Sequence, residues 1–153
     1  MHKNRTLATM LAAGTLGAIA LTGPTASASS AGESSAQAAG CVGTAFSGTL
    51  EPGKAICNGN HLVRMQTNGD LVLRVISTGR ACWTSGTGRA PGGDTSTTFH
   101  QNPIGVPYID INSTSQGRLG RITGAHSLCC LGSNANVNAR GEFWVGYKKI
   151  GSC

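Results

Sequence analysis

The sequence predicts an all-β domain stapled by disulfides, and three observations carry that prediction. From residue 41 to 153 no run between consecutive glycines or prolines exceeds nine positions. An ordinary helix there would have to hold a breaker, at a cost of about 1 kcal/mol for glycine or about 3 kcal/mol for proline. Short segments rich in Val, Ile, Leu and aromatics fit between those breakers, and all six cysteines stand beyond residue 40.

Composition excludes several classes. Charged residues make up 12% of the chain and 23 of its 153 residues are glycine, against about 25% charged in an average domain. A coiled coil or helical bundle needs Glu, Lys and Leu in bulk, and no stretch alternates strand and helix at the length a cofactor-binding α/β enzyme requires.

The N-terminus is read apart from the fold. His2-Lys3-Asn4-Arg5 is basic, Leu7 to Leu21 is apolar, Gly23-Pro24 breaks the run, and Ala26-Ser27-Ala28 is an A-x-A cleavage signature. That order is a secretory signal peptide over 1–28, which predicts a secreted, extracellular protein. Fifteen apolar residues fall short of the ~20 a bilayer span needs, so no membrane insertion is expected. Ala36-Gln37-Ala38 is a second A-x-A, placing the mature start after 28 or near 39. Residues 29–40 are small and polar and read as a flexible tail. Losing Lys3 and Arg5 with the leader lowers the net charge from +6 to +4, too little for a nucleic-acid footprint.

Within 41–153 the predicted strands are Leu62–Gln66, Leu71–Ile76, Thr97–Gln101, Val106–Ile111, Arg118–Thr123 and Phe143–Tyr147. Cys41, Cys57, Cys82, Cys129, Cys130 and Cys153 are an even set in a small exported domain, which implies bridges. Cys57–Cys82 is the first pairing to expect. A bond between Cys129 and Cys130 is set aside, because a ring across adjacent residues strains the peptide.

An internal repeat emerges when glycines are aligned. Gly69, Gly105 and Gly141 stand 36 residues apart. Each follows an amide by three residues (Gln66, Asn102, Asn138) and precedes an apolar pair (Val72-Leu73, Tyr108-Ile109, Trp144-Val145). The middle copy is interrupted by Pro103 and Pro107. A threefold repeat of this size predicts a pseudo-symmetric β-prism (type II), with a β-trefoil as the alternative.

One stretch is more specific. Leu50-Glu51-Pro52-Gly53, Asn58-Gly59-Asn60-His61-Leu62, Met65-Gln66-Thr67-Asn68-Gly69-Asp70-Leu71-Val72-Leu73 and Cys82-Trp83-Thr84-Ser85-Gly86-Thr87 together resemble the bulb-type (monocot mannose-binding) lectin domain. The resemblance is good over roughly 46–87 and faint beyond. It implies three four-stranded sheets, no catalytic activity, and up to three shallow mannose sites of the pattern Q-x-D-x-N-x-V-x-Y. Gln66 and Val72 match that pattern. Asn68 stands where the family has Asp, Asp70 where it has Asn, and Arg74 where it has Tyr. Gln66 and Asn68 offer donors and acceptors, Asp70 accepts, and Val72 offers an apolar patch to a hexose. Side chains at 70, 72 and 74 share one strand face. A three-residue loop over 68–70 would set Gln66 opposite Val72 on that face, with Leu71, Leu73 and Val75 toward the core. A two-residue Asn68-Gly69 turn would set Gln66 opposite Leu71 and break the site.

The other copies, Asn102/Ile104/Val106/Tyr108 and Asn138/Arg140/Glu142/Trp144, read as poorer sites that keep the fold closed. Trp83 and Trp144 are expected in the core. His61, His100 and His126 lack ligand spacing, so no metal and no cofactor are expected. Asn112-Ser113-Thr114 is a formal glycosylation sequon, and Lys148-Lys149 reads as a solvated edge.

The expected function is a non-enzymatic, mannose-type carbohydrate-binding module using Gln66, Asn68, Asp70, Val72 and Arg74. Its partners would be glycans or cell-surface polymers, not nucleic acid, with self-association as one source of multivalency. The alternative is a toxin-like or protein-binding module on the same fold without sugar binding. A hydrolase using Asp70, Asp94, Asp110 or Glu142 would need two of these carboxylates brought together.

Overall fold

The structure, a computed structural model, describes residues 39–89 and 94–153. The expected leader over 1–28, and all of the expected tail before residue 39, lie outside the described residues. Twelve strands follow in order: β1 (Ala45–Phe46), β2 (Thr49–Leu50), β3 (Ala55–Asn58), β4 (His61–Met65), β5 (Leu71–Val75), β6 (Ala81–Thr84), β7 (Thr95–His100), β8 (Tyr108–Ser113), β9 (Gly117–Thr123), β10 (Ala135–Val137), β11 (Glu142–Val145) and β12 (Lys148–Ser152). Helices are absent among the described residues, as the spacing of breakers predicts.

The strands form three four-stranded sheets, ordered β3-β4-β5-β6, β2-β7-β8-β9 and β1-β10-β11-β12, and every pairing between strands is antiparallel. Only the first sheet is contiguous in sequence. The strands β1 and β2 leave the N-terminal segment to become the outer strands of the other two.

The repeat is visible in the register. Arg64↔Val72, His100↔Tyr108 and Asn136↔Trp144 are direct cross-strand pairs, and so are Val63↔Leu73, Phe99↔Ile109 and Ala135↔Val145. Each series advances by 36 residues. The second series is buried in every copy and meets Phe46, Leu50, Ile56 and Phe143 in one core. Alternation then turns the first series outward, giving each sheet an outer face built from equivalent positions.

The six predicted strands correspond to β4, β5, β7, β8, β9 and β11. Pro107 delays β8, which begins at Tyr108 rather than Val106, because proline cannot donate to the ladder.

The first hairpin corrects the expected loop. Met65 pairs with Leu71, and the Gln66 N–H donates to the Asp70 carbonyl at 2.8 Å. The three-residue loop is therefore 67–69, with Gly69 at φ +90° in the left-handed position that closes such turns. Gln66 sits opposite Asp70 and not opposite Val72. A shift of two residues preserves side-chain parity, so Gln66, Asp70, Val72 and Arg74 still share the outer face. Leu71 and Leu73 are buried in the core, while Val75 is only half-buried, and Ile76 is buried in a separate small cluster with Ala55 and Leu62.

The cysteines pair as Cys41–Cys57 and Cys82–Cys153, and the sulfurs of Cys129 and Cys130 also lie together. Both sequence expectations are corrected. Cys57 on β3 and Cys82 on β6 occupy opposite edges of one sheet, three strand spacings or about 14 Å apart, beyond the reach of a disulfide. The adjacent pair, set aside on grounds of strain, is the pairing found. Trp83 packs on the core with its ring 5.6 Å from Phe143, as expected. Trp144 does not: it belongs to the outward series and is half-buried on the face of its sheet.

Candidate functional site

The outer face of β4 and β5 brings together the residues singled out in the sequence. Arg64, Gln66, Asp70, Val72 and Arg74 alternate onto it, and the hairpin register sets them side by side. Two adjoining hollows share Arg64 and Gln66. One, of about 150 Å³, is bounded also by Leu62 and Arg74. The other, of about 390 Å³, extends over Gly53, Thr67 and Asn68.

The residues play different parts within this face. Asp70 is turned toward its own sheet: its carboxylate accepts from the Thr84 hydroxyl, from Ser85 Oγ at 2.7 Å and from the Thr87 N–H at 3.3 Å. Ser85 Oγ in turn accepts the Leu71 N–H at 2.9 Å, and Thr87 Oγ1 donates to the Gly69 carbonyl at 2.7 Å. Asp70 therefore locks the turn against the segment that follows β6. Asn68 Oδ1 accepts the Asp70 N–H at 3.1 Å, an Asx-type closure of the loop. Val72 is 3% exposed and lies beneath the face, between Arg64 and Thr84.

Gln66, Arg64 and Arg74 are the polar groups that border the smaller hollow. Arg64 Nη2 donates to the Ala39 carbonyl at 2.6 Å and Arg74 Nη1 to the Gly79 carbonyl at 2.9 Å. Burial, and then the nearby charge of Arg74, hold the Arg64 guanidinium below its ordinary pKa. The arrangement can present a fan of N–H donors and one amide that both donates and accepts. Arg64 and Leu62 escape the sequence motif because they precede it on β4. Reading the hairpin backward from Gln66 in steps of two would have found them.

The second sheet carries a cluster that the sequence reading did not assemble. On its outer face His100 stacks on Tyr108 with centroids 4.7 Å apart, and Arg121 lies over the same ring at 3.9 Å. Arg121 also grips Asp110 with two bonds of 2.7 and 2.8 Å. That hydrogen bonding, opposed by desolvation, holds the Asp110 carboxyl below its usual range. His100 and Asp110 stand 36 residues beyond Arg64 and Arg74, so the repeat itself was the signal. In the third sheet Glu142 accepts from Asn138 Nδ2 at 2.6 Å and pairs with Arg140 at 3.3 Å and Lys149 at 3.4 Å. These partners, Asn138 first, hold its pKa down. Asp70, Asp110 and Glu142 thus belong to three different sheets, each with its own partners. Asp94, ahead of β7, accepts the Thr114 N–H at its backbone carbonyl. Among the described residues no group of three or more His, Cys, Asp or Glu side chains is placed to hold a metal ion.

No family model and no curated protein matches the chain in sequence.

Proposed function

We propose that the chain is a secreted, non-enzymatic carbohydrate-binding module of the β-prism type, akin to the bulb-type lectins, and that it takes mannose or a related hexose on the outer face of β4 and β5. The observation that carries this reading is the hairpin register. It sets Gln66 beside Arg64, Val72 and Arg74 over a shallow hollow rich in donors, the kind of surface that recognises a ring of hydroxyls. Three separate four-stranded sheets around one core favour the prism over the trefoil. The distribution of carboxylates over three sheets, each hydrogen-bonded, favours binding over hydrolysis, which needs two acids facing one bond. In this reading Gln66, Arg64 and Arg74 touch the sugar, while Asp70 and Asn68 are positioning residues that hold the turn.

One shallow site of this kind binds near millimolar, about 4 kcal/mol, and gains from multivalency. A glycan-array screen of the oxidised protein tests it, run beside Gln66→Ala and Asn138→Ala. The expected result is hexose binding that falls at least tenfold in Gln66→Ala and is unchanged in Asn138→Ala. A folded parent that binds no glycan would overturn the reading and leave a cell-surface polymer or a protein as the partner. Asp70→Ala is a poor test of contact with the sugar, because it also releases Thr84, Ser85 and Thr87.

A further inference from the structure

Six large apolar side chains are exposed among the described residues, and five of them come from three segments that the fold brings to one end. Ile104 and Val106 belong to the β7–β8 loop, Leu128 and Leu131 to the connection from β9 to β10, and Tyr147 to the turn between β11 and β12. The segments are stitched by backbone bonds. Gly124 N–H donates to the Pro107 carbonyl at 2.8 Å, Tyr147 N–H to Ala125 at 2.9 Å, and Gly146 N–H to Asn134 at 2.9 Å. The His126 ring contacts the Gly105 carbonyl. Gly132 and Gly146 approach so closely that a Cβ on Gly132 would lie 2.4 Å from the Gly146 Cα. The tip is held in place by this network.

Its most prominent part is Leu128-Cys129-Cys130-Leu131. Ser127 and Cys130 exchange N–H···O bonds of 3.1 and 3.3 Å, a tight turn that holds Leu128 and Cys129 at its apex. All four residues are exposed, and Leu128 (110%) and Ile104 (98%) are as open as in an extended chain. A run of four exposed apolar residues is a liability that a soluble domain avoids unless the run is used.

We propose that this tip adsorbs the protein to a lipid surface carrying anionic headgroups, with Leu128, Ile104 and their neighbours entering the interface. Two features favour lipid over a protein partner or a second copy. The side chains protrude, and the hollow beside them, lined by Gly132, Ser133, Asn134, Asn136, Gly146 and Tyr147, offers a partner no apolar pocket for an anchor residue. A fluid hydrocarbon boundary, by contrast, requires no matching shape. Charge agrees: residues 101–107 and 124–134 contain no Asp, Glu, Lys or Arg, and the cations beside the tip are the exposed Lys148, which follows Tyr147, and Lys149, 3.4 Å from Glu142. Shallow entry of loop side chains beside cations is how peripheral proteins lie on an interface, and an amphipathic tyrosine suits the headgroup level. No spanning segment is involved, and the inference does not rest on sugar binding.

The test is co-sedimentation of the oxidised protein with vesicles of phosphatidylcholine alone and of phosphatidylcholine with one third phosphatidylglycerol. Wild type should bind the anionic vesicles at least tenfold more strongly than the neutral ones. Binding should weaken as salt rises from about 0.1 to about 1 M, which shortens the screening length from ~10 to ~3 Å. Ile104→Asp/Leu128→Asp should lower binding at least tenfold with an unchanged circular dichroism spectrum. Ile104→Thr/Leu128→Ser serves as the milder pair if the acidic one misfolds. A folded wild type that ignores both vesicles, or binding undiminished in a folded variant, overturns the proposal. A concentration-dependent dimer in sedimentation velocity that these variants abolish would assign the tip to a second copy and overturn it equally.

Discussion

Seventy-two residues separate Gln66 from Asn138, yet each donates its backbone N–H to the backbone carbonyl of the acidic residue opposite, Asp70 at 2.8 Å and Glu142 at 3.0 Å. Each turn closes on a left-handed glycine, Gly69 at φ +90° and Gly141 at φ +75°, whose N–H returns to the amide's carbonyl at 3.1 and 3.0 Å. Behind both turns Met65, Leu71 and Leu73, or Val137, Phe143 and Val145, are buried. The outer faces differ. Asp70 reaches into the hydroxyl-rich segment after β6, so its charge is absorbed by the fold. Glu142, its own side chain 17% exposed, meets Asn138, Arg140 and Lys149, and the two cationic side chains are 80% and 49% exposed, so its charge is answered by partners that lie in solvent. The repeat fixes glycine, backbone bonds and inward side chains. Outward polar groups are free to become a clasp in one copy and a surface ion cluster in the other.

The largest effect should come from cutting the bond between these two regions. Cys82–Cys153 joins the edge of the first hairpin's sheet to the end of the third hairpin's sheet, across a sequence separation of 71. Cys41–Cys57 spans 16. If disulfides act mainly by restricting the unfolded chain, Cys82→Ala/Cys153→Ala should lower stability by about 4 kcal/mol and Cys41→Ala/Cys57→Ala by about 3 kcal/mol. Urea denaturation without reductant measures both. A larger loss from the shorter loop would show that the N-terminal segment, and not the junction between the sheets, holds the fold together.

The two acids give the next contrast. Asp70→Ala removes acceptors from Thr84, Ser85 and Thr87 and should cost about 1.5–3 kcal/mol, the range for hydrogen bonds to a charged group. Glu142→Ala should cost clearly less, because its two cationic partners are exposed and their pairing is screened by water and salt. Equal losses in urea denaturation would mean that the third hairpin is clasped as tightly as the first, and the proposed division between clasp and surface cluster would fail.

How much of this was legible in sequence follows from what each strand does. Strands β4, β5, β7, β8 and β11 are central in their sheets and turn alternate apolar or β-branched side chains inward, so they can be read directly, as can the seven-residue edge strand β9; the central β10, three residues long, is too short to read. The edge strands β1 and β2 run two residues each and pair with β10 and β7, far along the chain, so nothing local marks them. The spacing of Gly69, Gly105 and Gly141 revealed the repeat because the turn needs a left-handed residue in two of the three copies. Gly105 lacks that conformation, and Pro103 and Pro107 explain the faintness of its copy. The site was partly legible: Gln66, Asp70, Val72 and Arg74 do share a face. The turning of Asp70 toward Thr84 and Ser85 was not legible, since it depends on where β6 ends. Trp144 was misplaced because a tryptophan in an apolar pair looks like core, whereas strand parity buries its neighbours Phe143 and Val145 instead.

The smallest effect separates the two turns themselves. Gly141 is in the left-handed region, and a Cβ there would lie 2.6 Å from His61 Cδ2 and 2.7 Å from Nε2. His61 opens β4, so this is a contact between the third hairpin's turn and the first hairpin's own strand. Gly117, at φ +73°, has open space where a Cβ would go, and Gly117→Ala therefore reports the conformational cost by itself, about 1–2 kcal/mol. Gly141→Ala should exceed that reference by about another 1 kcal/mol, because the imidazole must shift to admit a methyl group. In a His61→Ala background the excess should disappear, which a double-mutant cycle by urea denaturation reads directly. If the excess persists without His61, the turn is confined by its own backbone. The two hairpins would then be coupled through Cys82–Cys153 and the shared core, with no contribution from this contact.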